Sequence, residues 1–387
     1  MADLSPPCSP PSRRTKLVYF VHDLNDPAVA RRLAMLRPHL AAAIIIGFHR
    51  AAPAPAQLAG WPVLDIGRTA DGRLARRALS VLRRLLHLRP LRASLRGATL
   101  VIARQLEMLV LAAAARRAYA KNAALVYECL DIHGMMLRSG ALRRVESHLL
   151  RGVDRVIVSA PAFVDAYLQP VHGARLPPVS LIENKMLRGE MRDLPALPAR
   201  PSGPPWRIGW FGVLRCRRSL LLLRELARQY PGHVSVELRG RPSLAAIPDF
   251  HELIAAAPGV TFLGAYDRAR DLARIYRQVH FTWAIDFYEA GQNSAWLLPN
   301  RLYEGGAQGA VPIADASAAT GQWLARRNAG VLLHEPLGPG LRQFFMTIDA
   351  ASYAAAAAAM ACVAPSDWVD DGQDAAQFIA NIDGLQR

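Results

Sequence analysis

The chain has 387 residues, enough for two domains at roughly 100–200 residues each. Hydrophobic residues make up 52% and charged residues 20%, a balance that builds full cores and excludes an intrinsically disordered chain. Lys and Arg number 47 against 31 Asp and Glu, and the net charge of +16 favours anionic partners without specifying a fold.

Residues 1–15 are rich in Pro, Ser and Arg, lack the apolar run of a secretory signal, and read as a disordered tail. Lys16–His22 is apolar, β-branched and aromatic, the pattern of a buried strand. Asp26-Pro27 marks a helix start, with helix over Ala28–Leu40. Further strands are predicted at Ala43–Phe48, Trp61–Ile66, Ala98–Ala103, Ala124–Cys129, Arg155–Ser159 and Val179–Ile182, with helices over Leu142–Leu150, Pro161–Leu168 and the segment up to Ala120. Prolines then crowd residues 186–205, a linker composition. After it the alternation restarts, with strands at Trp206–Phe211, Val234–Arg239, Val260–Phe262, His280–Ile285 and Val311–Ala314. Helices are predicted at Ser219–Gln229, Phe250–Ala257, Leu272–Val279 and Pro299–Gln308, and the remainder reads as mostly helical.

Such alternation predicts an α/β fold with two Rossmann-like, doubly wound domains. The division is 16–185, the linker 186–205, 206–365, and a helical segment 366–387 that could cross back to the first domain. Ligands bind such sheets at the carboxyl ends of the strands, so two facing domains create a cleft there.

Several classes are disfavoured. Cys8, Cys129, Cys216 and Cys362 are far apart and show no CxxC spacing, which argues against a zinc site or disulfide framework and for a reducing cytoplasm. No segment approaches the roughly 18 uninterrupted apolar residues of a spanning helix. A dinucleotide oxidoreductase should carry GxGxxG after the first strand, where this chain reads HDLNDP. No nucleic-acid-binding motif accompanies the positive charge.

Polar groups gather where strands end. His22 and Asp23 follow the first strand, and Arg104 follows the fourth, either lining the cleft or ion-paired structurally. Asp131 and His133 leave the fifth strand before Gly134. In the second half, IGWFG ends at Gly212 and leads through Arg215 and Arg218 into a helix, an arrangement that makes an anion site. Asp286-Phe-Tyr-Glu289 and the run LPNRLYEGGAQGAVPIAD from Leu297 to Asp315 follow a later strand. Residues 72–97 carry eight arginines, interspersed leucines and no acid. They read either as one basic amphipathic helix ending near Pro90 that lies on anionic headgroups, or as a solvated face whose leucines fill the core.

The NRLYEGGAQGAVPI segment resembles the nucleotide-sugar-binding element of group 1 (family four) glycosyltransferases of the GT-B type. With HDLNDPAV, GFHR and RQLEM, it is similar to bacterial exopolysaccharide enzymes of succinoglycan-like pathways, over roughly residues 16–365. The resemblance implies transfer of a hexose from a nucleoside-diphosphate sugar, UDP-sugar favoured, to a saccharide or lipid-linked saccharide acceptor, at the inner face of the cytoplasmic membrane. It implies that Glu304 binds the donor ribose, that Arg215 and Arg218 face the diphosphate, and that Gly212, Asn300, Arg301 and Glu289 belong to the donor site. His133 and Asp131 are then the catalytic candidates in the loop facing the transferred sugar, and His22, Asp23 and Arg104 belong to the acceptor side. No cofactor or metal is implied beyond the nucleotide-sugar substrate. The family's first Glu, eight positions before Glu304, is replaced by Trp296, and Glu289 is the nearest substitute. That departure leaves a catalytically degenerate GT-B-fold binding protein as the alternative.

Overall fold

Side chains of the first strand, β1 (Thr15–Val21), alternate between two cores, as a pleated strand covered on both faces must. Val18 and Phe20 join one cluster, Leu17, Tyr19 and Val21 the other. The computed structural model describes residues 15–50, 52–69, 74–132, 134–191 and 200–385.

The first sheet continues with β2 (Leu40–His49), β3 (Gln57–Leu58), β4 (Trp61–Arg68), β5 (Leu100–Arg104), β6 (Ala124–Cys129), β7 (Arg155–Val158) and β8 (Val179–Leu181). Its order is β3-β4-β2-β1-β5-β6-β7-β8, parallel except for the β3–β4 hairpin. After the short strand β9 (Met186–Leu187), a second sheet is built from β10 (Trp206–Leu214), β11 (Val234–Pro242), β12 (Val260–Phe262), β13 (Phe281–Trp283), β14 (Val311–Asp315) and β15 (Val331–Leu333). Its order, β12-β11-β10-β13-β14-β15, is the doubly wound order with its switch point beside β10. The fold is α/β, with two Rossmann-like units facing across a cleft.

The chain then returns to its first half. β16 (Val369–Asp370) pairs with β9. Helix Gln373–Leu385 buries Ala375, Phe378, Ile379 and Ile382 among Leu33, Leu36 and Tyr19. Lys185 also reaches Asp374 at 3.4 Å.

Several sequence expectations need correction. The helix expected to run to Leu40 ends at Leu36, a 3-10 turn holds Arg37–His39, and Leu40 already belongs to β2. Pro38 removes a backbone donor there and cannot continue the ladder. Part of the expected linker is ordered: Met186–Leu187 is a strand and Arg188–Met191 a 3-10 turn, while its residues 192–199 lie outside the described ones. The basic segment is not one helix to Pro90. It is helix Leu74–Leu85, a 3-10 turn Arg89–Leu91 and a short helix Arg92–Leu95. The C-terminal part is mostly helical as read, with the short strands β15 and β16 set into it. The Ala-rich helix Ala350–Cys362 forms as read. Among the described residues no single helix is long and apolar enough to cross a membrane; one pair, bent by 113°, passes that test only when its two helices are taken together.

Candidate active site

The first wall of the cleft is built on a buried charge. Glu128 stands in β6, opposite Arg104 of β5 in the strand register, and is fully buried. Its Oε1 accepts from Arg32 Nε at 2.7 Å, and its Oε2 accepts from Arg104 Nη1 at 3.3 Å and from the Tyr19 hydroxyl. Arg32 also donates to the Ile182 carbonyl at 2.8 Å. Arg104 Nη2 lies 3.3 Å from Asp26, whose side chain caps helix Pro27–Leu36. Burial alone would raise the Glu128 pKa, but the guanidiniums of Arg104 and Arg32 outweigh it and hold the carboxyl below its ordinary value. Burial, reinforced by Glu128, pushes the Tyr19 hydroxyl up, so it stays a neutral donor. Arg104 therefore takes the ion-paired alternative: it is 4% exposed and serves the wall's interior.

The second wall presents charge to solvent. β10 and β11 run in register to Gly212 and Gly240, both with positive φ. A Cβ on Gly240 would stand 1.8 Å from the Gly212 carbonyl oxygen, so only glycine allows this approach of the two strand ends. The chain leaving β10 carries Arg215 and, in the first turn of helix Arg217–Gln229, Arg218. Arg215 lies 3.6 Å from Asp286 and its guanidinium stands 4.5 Å over the Tyr288 ring. Arg218 pairs with Glu335 and stands 4.1 Å over Phe287. Both side chains remain more than a third exposed. Behind Arg218, a cavity of about 210 Å³ is lined by Asp286, Phe287, Ser294, Asp315 and Thr320.

Glu304 sits inside helix Asn300–Ala307, which closes on β13 because Gly305 has no side chain: a Cβ there would meet Thr282 at 2.4 Å. The carboxylate is 6% exposed. It accepts from the Tyr276 hydroxyl at 3.1 Å and lies 3.2 Å from Arg268 and 3.5 Å from Arg31. Arg31 comes from the first half. It also donates to Asn300 Oδ1 at 3.1 Å and to the Asn184 carbonyl at 2.9 Å. Burial, then the like charge of Arg268, lowers the Arg31 pKa from its ordinary value. Arg301 donates to the Ile285 carbonyl at 3.0 Å, tying its helix to the chain just past β13.

A second clasp crosses the cleft. Asn293 donates to Asp131 at 3.0 Å and accepts from the Ile132 amide at 3.2 Å. Asp131 is thus brought to the second half beside the segment containing Glu289. Glu289 is half-buried, and its amide donates to Ser294 at 2.9 Å. His133 lies outside the described residues. His22 and Asp23 follow β1; Asp23 accepts from the Asn25 amide at 3.1 Å and lies 3.5 Å from Arg50. The structure therefore groups Arg215 and Arg218 around Asp286 and Phe287, joins Glu304 with Asn300 through Arg31, and leaves Asp23 on a separate loop.

Sequence reasoning missed Arg31, Arg32, Glu128, Arg268 and Asn293. A signal existed for Glu128, a charged residue inside the apolar strand ALVYEC, because a buried charge demands partners. Paired arginines within the apolar helix PAVARRLAML were the matching signal.

Two doubly wound sheets facing across a cleft, with a guanidinium pair at the switch-point strand of the second, make this a GT-B fold. No protein-family model matches the chain. It is 41% identical over 375 residues to the succinoglycan biosynthesis protein ExoL of Rhizobium meliloti, covering 95% of this chain and 93% of that protein. The chain belongs to the ExoL family. Among solved structures it is similar to HepE of Anabaena in complex with UDP and glucose, with TM-score 0.70, 16% identity, and 96% and 100% of the two chains covered. It is also similar to sucrose-phosphate synthase of Thermosynechococcus elongatus, with TM-score 0.68, 14% identity and 96% of each chain covered. WaaG, a glycosyltransferase involved in lipopolysaccharide biosynthesis, matches with TM-score 0.62, 11% identity, and 95% and 99% coverage.

Proposed function

We propose that the chain transfers a hexose from a UDP-sugar to a lipid-linked saccharide during exopolysaccharide synthesis, at the inner face of the cytoplasmic membrane. The observation that carries this reading is the exposed pair Arg215 and Arg218 at the carboxyl end of β10, the switch-point strand. Their charges stabilise the departing diphosphate as the glycosidic bond breaks, where a preorganised cation acts without reorganisation cost. Glu304 offers two acceptor oxygens to the adjacent ribose hydroxyls. For this, the Arg31 contact at 3.5 Å must yield or share the carboxylate with the nucleotide. Asp131 and His133 orient the transferred sugar and acceptor, and closure of the two halves excludes water that would hydrolyse the donor. The family relation to ExoL and the UDP and glucose bound by HepE support the donor class.

The test is thermal stability of the protein against UDP, GDP, ADP and dTDP, with Glu304→Ala beside the wild type. Selective stabilisation by UDP that is lost in the variant is the expected result. No shift with any nucleotide would transfer the weight to a degenerate, non-catalytic GT-B protein.

A further inference from the structure

Some exposed arginines of this surface have acid partners: Arg217 with Asp249, Arg228 with Glu225, Arg270 with Asp271. Others gather in grooves that no acid lines. Between the short helix Arg92–Leu95 and the end of helix Leu106–Tyr119 lies an open groove of about 900 Å³. Arg89, Arg92 and Arg96 line it, together with Pro90 and Tyr119, and no acid does. Lys16 adds a fourth cation, its ammonium 3.5 Å from where a Cβ on Gly97 would stand. None of these four cations pairs with a carboxylate among the described residues. Like charges gathered without counter-ions repel one another, so the cluster is stabilised by an anion from outside the chain.

Just before the groove's arginines in the chain comes an apolar stripe. Leu79 and Leu82 of helix Leu74–Leu85, and Leu86 just beyond it, are 46%, 52% and 74% exposed. Their spacing of three and four residues places them on one helix face. Exposed Arg83 stands next to Leu82. A soluble polyanion would satisfy the groove but has no use for the leucines. A bilayer satisfies both, with phosphates at its surface and acyl chains beneath.

We infer that this groove and the leucine stripe together dock the protein on an anionic phospholipid bilayer. The groove lies at the starting ends of β1 and β5, opposite the strand ends that form the cleft, so docking covers neither Arg215 nor Glu304. The docking is independent of the transfer reaction; only its purpose, holding the enzyme on the surface that carries its acceptor, rests on the reading above.

The experiment is sedimentation of the full chain with vesicles of phosphatidylcholine alone or mixed with phosphatidylglycerol, at low and at physiological salt. Wild type binds the phosphatidylglycerol vesicles selectively and more tightly at low salt. Arg89→Ala/Arg92→Ala/Arg96→Ala weakens that binding roughly 100-fold, at about five-fold per basic residue near the surface. Leu82→Ser/Leu86→Ser weakens it as well. All these positions are exposed, so both variants retain the wild-type melting temperature and its shift with UDP. Absence of binding at low salt, or both variants binding like wild type, overturns the inference. So does full vesicle binding by the leucine variant with polyphosphate competing equally well, which would assign the groove to a soluble polyanion. Loss of the UDP shift in wild type would instead sink the donor reading and leave the docking result standing.

Discussion

The two walls of the cleft use arginine in opposite ways. In the first wall Arg32 and Arg104 are buried and spend their donors on Glu128, Asp26 and a backbone carbonyl. In the second wall Arg215 and Arg218 rest on aromatic rings, more than a third exposed, each with one acid partner. A buried, ion-paired guanidinium cannot turn to a substrate without leaving a carboxylate uncompensated. An exposed one exchanges partners at little cost, because its solvent-screened pair is worth only about 0–1 kcal/mol. The first wall is a fixed platform, and the second is the wall that binds an anion.

The comparison breaks most visibly at Glu128. Glu128→Ala should destabilise the fold by about 3–5 kcal/mol, since two buried guanidiniums lose their anion. Denaturant unfolding measures it, and a loss below about 1 kcal/mol would refute the platform. The same carboxylate sets a pH response. Its folded pKa lies below the ordinary value, so its stabilising contribution is present above about pH 4.3 and is lost as pH falls through the folded value. Unfolding free energy followed from pH 6 downward should therefore show a steeper acid loss in wild type than in Glu128→Gln.

Next in size is Arg215→Ala, expected to lower kcat/KM roughly 100-fold while leaving the unfolding midpoint unchanged. Equal loss of stability and activity would place Arg215 in the platform class instead. Arg31→Ala asks whether the Glu304 latch competes with donor. If Arg31 and ribose contend for one carboxylate, UDP should bind the variant several-fold more tightly by calorimetry; weaker binding would make Arg31 part of the donor site. The smallest effect is expected for Asn293→Ala. It removes two hydrogen bonds across the cleft, worth about 1 kcal/mol each, and should enlarge the radius of gyration seen by small-angle scattering in the absence of donor.

Local chemistry made much of this legible from the chain alone. The strands Ala124–Cys129 and Val260–Phe262 form over the bounds that their largely apolar sequence predicts. Short strands without such a run, β9 and β16, were invisible; each exists only because the other is there to pair with.

By itself the sequence determined the α/β alternation and the basic turn after β10, since each depends on neighbours a few residues away; β10 itself runs past Gly212 to Leu214. Only the tertiary structure decided which arginines are platform and which are free to meet a ligand. Arg31 and Glu304 are 273 positions apart, Arg32 and Glu128 96 apart. The worth of each pair depends on burial and on the charges packed around it. Those are properties of the folded surface, and spacing along the chain does not encode them.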